Sequence, residues 1–172
     1  MKRSLTASLM VLCVLASVAT GEDKKRPHPD FSGSWQLDRA KSDFGQWSDR
    51  PLAKADSTLV VAYVEPELKI RRTLSLNGQQ EVREFTYYTD GRGETNQATL
   101  GAGEVRSKTK WDGDKLVSES QITRRGQGGS YTLSVTQKWQ VSSDGKTLTN
   151  TTTISNEMGA QQVKLVYRRA QQ

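Results

Sequence analysis

The chain has 172 residues, a formal net charge of +6, one cysteine and one histidine. Those counts exclude an internal disulfide framework, a Cys/His zinc cluster and a haem site built on strand histidines. A chain of this length has room for one domain whose core holds without staples.

Residues 1–19 have the layout of a secretory signal. Lys2 and Arg3 precede a mostly apolar run over residues 5–18, and Ser17-Val18-Ala19 offers small residues for cleavage. The run is too short and interrupted for a transmembrane helix, which needs about 20 apolar residues. Cys13 lies inside it as a small apolar residue. A secreted or periplasmic protein is therefore expected, with no transmembrane segment in the mature chain. Removal of Lys2 and Arg3 takes the net charge from +6 to +4. The remaining basic residues are scattered along the chain, as on a solvated surface. Residues 20–30 carry charges, two prolines and His28, and read as a flexible linker in which His28 is solvated.

Residues 31–172 read as one domain. Phe31, Gly33, Trp35 and Leu37 share a parity and line one face of a first strand. Residues 39–56, with Gly45, Trp47 and Pro51, break the alternation. Their length suits a helical turn and a lid over a barrel mouth. Residues 57–64 are strand-like on both faces, and Glu65-Pro66-Glu67 marks a turn. Leu68, Ile70, Leu74 and Leu76 then recur with Arg72 in phase. Asn77-Gly78 is a hairpin signal, because both residues accept positive φ. Residues 82–88 form the next strand and 94–99 a weak polar one.

Alternation is cleanest after residue 104. Val105, Ser107, Thr109 and Trp111 share one face, opposite Glu104, Arg106, Lys108 and Lys110. Past Asp112-Gly113-Asp114, the sequence returns through Leu116, Ser118, Ser120 and Ile122. Residues 125–129 read as a glycine-rich loop. Tyr131, Leu133, Val135, Gln137, Trp139 and Val141 share a face. Leu148, Asn150, Thr152 and Ile154 alternate with threonines 147, 149, 151 and 153. Val163, Leu165, Tyr167 and Arg169 finish the chain. About ten short strands joined by tight turns predict an all-β antiparallel meander, closed into an up-and-down β-barrel of about 8–10 strands that protects its own edges.

Phe31-Ser32-Gly33-Ser34-Trp35 resembles the Gly-x-Trp opening of the calycin superfamily, which includes the lipocalins, fatty-acid-binding proteins and avidins. The resemblance implies a lipocalin-like barrel in which Trp35 closes one end near a basic residue of the last strand. Arg169 has the phase for that role, with Gly33 completing the closure. Fatty-acid-binding proteins hold a carboxylate with an Arg-x-Tyr in the last strand. Here Val166-Tyr167 is similar, and Leu165 stands at the arginine position.

Polar residues interrupt the predicted inner face: Arg72, Ser107, Thr109, Ser118, Ser120, Gln137, Asn150 and Thr152. Each buried polar group without a partner costs about 1–3 kcal/mol, so these residues should face water, one another or a ligand. With the aromatics Phe85, Tyr87, Trp139 and Tyr167 they outline a binding site for a small amphiphilic or hydrophobic ligand. Arg72 is the natural partner of an anionic head group. No catalytic group, metal ligand or cofactor motif is identified, so a binding protein rather than an enzyme is expected. No nucleic-acid-binding signature is present. The alternative is a protein-binding module. Periplasmic metalloprotease inhibitors are small barrels that insert an N-terminal segment, and residues 22–29 resemble such a trunk. Residues 144–149 resemble a hairpin of that group.

Overall fold

The computed structural model describes residues 28–98, 103–126 and 129–170. The predicted signal segment, Cys13 and residues 20–27 of the predicted linker lie outside the described residues.

The chain is all-β. β1 (Gly33–Leu37), β2 (Asp56–Val64), β3 (Glu67–Leu76), β4 (Gln79–Tyr88) and β5 (Glu94–Gln97) form the first half. β6 (Glu104–Asp112), β7 (Lys115–Gly126), β8 (Gly129–Val141), β9 (Thr147–Asn156) and β10 (Gly159–Arg169) form the second. Every pairing is antiparallel, and the sheet order is β4-β3-β2-β1-β10-β9-β8-β7-β6-β5. Pairing of β1 with both β2 and β10 curls the meander into a barrel. The barrel is nearly closed: β4 and β5 are the two ends of the sheet and face each other without a ladder.

The tight turns follow from their residues. Asn77 and Gly78 have φ of 52° and 78°, the paired positive values of the two-residue hairpin turn whose twist matches the strands. Register then follows parity, because a one-residue slip would turn every inward side chain outward. Arg72 pairs with Leu59, Trp139 lies between Leu116 and Asn150, and Gln137 lies between Ser118 and Thr152. The expected glycine-rich loop is narrower than 125–129, because β7 runs on to Gly126 and β8 starts at Gly129.

One end, the base, is filled with aromatics. Phe31, Trp35 and Tyr167 are each 1% exposed. The Trp35 indole N–H donates to the Phe31 carbonyl at 3.0 Å. The Arg169 guanidinium lies 4.1 Å from the Trp35 ring centroid and donates to the carbonyls of Ser32 and Gly145. Ala170 N–H donates to Ser34 O at 2.8 Å, so the two ends of the described chain are neighbours here. His28 also belongs to the base. Expected as a solvated linker residue, it is half-buried and stacks on Trp111 with ring centroids 4.3 Å apart. Phe31 and Tyr63 pack against the same indole, which explains why chain polarity alone mislocated His28.

The other end is the mouth. Over it runs the segment between β1 and β2, with two short 3-10 turns, Arg39–Lys41 and Gly45–Trp47, and the four-residue helix α1 (Pro51–Lys54). This lid is tied down at several points. Asp43 and Lys164 exchange backbone hydrogen bonds of 2.8 and 2.7 Å, which makes the lid a short extra partner of β10. Gly45 sits so near Gln162 O that a Cβ would lie 2.8 Å from it. The Arg39 guanidinium donates to the carbonyls of Ala53, Lys54 and Ala55, tying the start of the lid to its end.

Candidate functional site

A cavity of about 680 Å³ occupies the barrel between base and lid. Its size is in the range typical of small-molecule sites. Ile70, Phe85, Leu133, Val135, Ile154, Val163 and Leu165 supply apolar wall from strands on all sides. Phe44, Trp47, Arg50, Pro51 and Ala53 of the lid close the upper part.

Of the ten residues marked in the sequence as ligand-facing, nine line this cavity: Arg72, Phe85, Tyr87, Ser118, Ser120, Gln137, Trp139, Asn150 and Tyr167. Thr109 does not. It is fully buried, and its hydroxyl donates to Glu94 Oε1 at 2.7 Å. Its parity points inward as expected, but Glu94 captures the hydroxyl before it reaches the cavity. Ser107 donates to the same oxygen at 2.6 Å, and Tyr88 N–H reaches Oε2 at 3.3 Å. Glu94 is thus a buried carboxylate held by three donors.

Arg72 is the most unusual group in the wall. It is 8% exposed, and among the described residues its guanidinium has neither a hydrogen bond nor an ion pair. Burying an ionised group away from both water and a counter-charge costs several kcal/mol. Neighbouring residues do not neutralise it. Arg83, directly opposite on β4, is itself cationic and pairs with Glu81. Trp139 Nε1 and Asn150 Nδ2 are likewise buried without partners. All three wall groups with an unpaired atom therefore present N–H donors. The remaining polar contacts are internal: Thr152 Oγ1 donates to Asn150 Oδ1 at 3.1 Å, and Tyr87 Oη makes a weak 3.5 Å bond to Gln137 Oε1.

Two phenols flank this cation. Burial pushes the Tyr87 hydroxyl well above the usual tyrosine range, and the charge on Glu94 pushes it further. Burial raises Tyr167 also, and Arg72 partly offsets both shifts. Both phenols stay protonated and available as donors at neutral pH. The Ser57 hydroxyl lies beside Tyr167 without the geometry of a hydrogen bond.

Gly33, Trp35 and Arg169, assigned to barrel closure, come together at the base and line no part of the cavity. Gly33 has φ of +126°, and a Cβ there would lie 2.5 Å from Arg169 Nη1. Only glycine lets the arginine lie over Trp35 in this backbone.

Sequence reasoning missed the lid contacts and Asn96. Phe44 and Trp47 were signalled by being aromatics inside an otherwise polar, proline-containing segment. Asn96 faces the cavity from β5 while holding the backbone of Thr86, and a polar residue in a weak strand gives no hint of that. Among the described residues no group of His, Cys, Asp and Glu is placed to hold a metal ion. No described helix is long and apolar enough to cross a membrane.

The sequence matches no family model and no curated protein. Solved structures share its fold. The REP1-NXSQ fatty acid transporter superposes with a TM-score of 0.55 at 12% identity, over 82% of this chain and 96% of that one. The zebrafish ileal bile acid-binding protein, in complex with cholic acid, gives 0.55 at 13% identity, over 81% and 98%. The abundant heat soluble (SAHS) protein of Ramazzottius varieornatus gives 0.55 at 14% identity, over 81% and 95%. At such identities the likeness is one of fold alone, an antiparallel up-and-down β-barrel.

Proposed function

We propose that this chain is a secreted binding protein that holds a small amphiphilic molecule inside its barrel. An apolar body would lie against the walls, with an anionic group at Arg72. The observation that carries this reading is the unpaired Arg72 guanidinium, buried in the wall of a 680 Å³ cavity. An occupant with acceptor oxygens supplies the missing counter-charge, and Trp139, Asn150, Tyr87 and Tyr167 offer further donors around it. An acid fits this set better than an amine, which would add donors to donors. Two of the fold neighbours are a fatty acid transporter and a bile acid-binding protein, which supports the same class of occupant. Arg72 projects from β3, so the anchor is not the last-strand position, where Leu165 stands. Export rests on residues 1–19.

The inhibitor alternative draws no support from the base. His28, at the near end of the supposed trunk, packs on the barrel's own Trp111.

Two measurements test the reading. Native mass spectrometry of the mature protein from periplasmic expression should show an added mass that organic extraction removes. The anionic apolar fluorophore 1-anilinonaphthalene-8-sulfonate should bind the extracted protein, and Arg72→Met should weaken binding about ten- to a hundredfold, the worth of a charged hydrogen bond. A bare mass together with no fluorophore binding would overturn the proposal.

A further inference from the structure

The ten strands leave one discontinuity in the barrel wall. β4 and β5 end the sheet, and among the described residues no backbone hydrogen bond crosses between them. Side chains do that work instead. The Asn96 carboxamide accepts from Thr86 N–H at 2.8 Å and donates to Thr86 O at 2.8 Å, satisfying both backbone groups of one residue as a neighbouring strand would. Glu94 accepts from Tyr88 N–H below it, and Arg83 Nη1 donates to Ala98 O at 2.8 Å above it.

The seam separates two spaces. Asn96 and Gln97 line the interior cavity. Thr86, Tyr88, Glu94, Thr95 and Arg106 line a groove on the outer surface. Asn96, which lines the cavity, is bonded to the backbone of Thr86, which lines the groove. Its lower end is held by the chain itself, since residues 89–93 connect the two strands and Asp90 bridges Lys110 of β6. By contrast, the lid over the mouth is fastened to β10 by paired backbone bonds and across itself by Arg39.

We propose that the β4–β5 seam is a lateral door into the cavity, hinged at residues 89–93 and latched by the Asn96 carboxamide. The proposal rests on the carrier reading for what passes through. The physical ground is the relative cost of opening. Parting β7 from β8 breaks a ladder of eleven residue pairs, whereas parting β4 from β5 breaks a few side-chain hydrogen bonds. Local opening follows the least costly unit. An amphiphile leaving through the seam would slide sideways from the apolar wall into the outer groove, and the lid could stay fastened.

The test uses the mature chain and its Asn96→Ala variant, with 1-anilinonaphthalene-8-sulfonate as the passenger. Hydrogen exchange of the Thr86 and Tyr88 amides should accelerate about tenfold or more and stay nearly independent of urea, as local opening does, while amides of the β1–β10 ladder keep the steep urea dependence of global unfolding. Stopped-flow entry and exit rates should both rise by about tenfold, because a latch sets the barrier for passage in either direction. Unchanged exchange at Thr86 would overturn the latch. Faster exchange with unchanged fluorophore rates would overturn the door. If Asn96→Ala fails to fold, Asn96→Leu removes both the acceptor and the donor at nearly the same side-chain volume and carries the same readouts. A wild-type protein that shows a bare mass and binds no fluorophore would sink the carrier reading and the door with it. Wild-type binding with unaltered variant kinetics would sink the door alone.

Discussion

The barrel closes on itself in two places, and it does so by different means. At β1–β10 the ladder is short, with Trp35, Gln36 and Leu37 opposite Arg169, Arg168 and Tyr167. It is backed by a buried indole, a guanidinium stacked on it and a glycine that makes room for both. At β4–β5 there is no ladder, and polar side chains span the gap. The first joint is held mainly by burial, which is cooperative with the core. The second is held by hydrogen bonds whose net worth is about 1 kcal/mol each, because water competes for the same groups when they part. One molecule can thus be globally stable and locally openable, since the two properties sit in different joints.

Substitutions in each joint should separate them. The largest effect is expected from Trp35→Ala, which empties the base and should cost about 3–5 kcal/mol in urea denaturation. A loss below about 1 kcal/mol would show that the base does not hold the barrel. Next comes Gly33→Ala. It places a Cβ in a backbone region that side chains rarely adopt and drives Arg169 off Trp35. A cost of about 2–3 kcal/mol is expected. Arg169→Ala in the Gly33→Ala background should then add little, because the stack is already lost; full additivity in that double-mutant cycle would refute the coupling. Asn96→Ala should cost only about 1–2 kcal/mol globally, and a Tm drop as large as that of Trp35→Ala would erase the contrast between the joints. His28→Ala should be the mildest, below about 1.5 kcal/mol, the worth of one aromatic stack at a half-buried site. Its readout is the fluorescence of the Trp111 region rather than a large shift in melting.

Much of the barrel was legible because a strand's period is two and its turns are chemically marked. Asn77-Gly78 and Gly113-Asp114 fixed hairpins, and parity then placed Ser118, Gln137 and Asn150 on the inner face. The same parity placed Thr109 there, and it is indeed inward; only a carboxylate fifteen residues away decides that its hydroxyl is already engaged. The seam was invisible for a related reason. Residues 94–97 alternate as any edge strand does, and nothing local says whether Asn96 reaches a ligand, water or another backbone. His28 was misread because the linker around it is polar, whereas its position is set by an indole that comes from β6. Long-range pairings of single side chains leave no periodic trace.

The hydrogen bond from Ala170 to Ser34 carries a consequence for the order in which the chain could be written. The described ends of the protein, at His28 and Ala170, both lie at the base. A short linker could therefore join them, and the chain could be cut anew at Gly91, in the connection between β4 and β5. Such a circular permutant would keep every ladder in the sheet, because a cut there interrupts none. Its new termini would hang from the two unladdered edges, so that the break in the covalent chain and the break in the hydrogen-bonded wall would coincide.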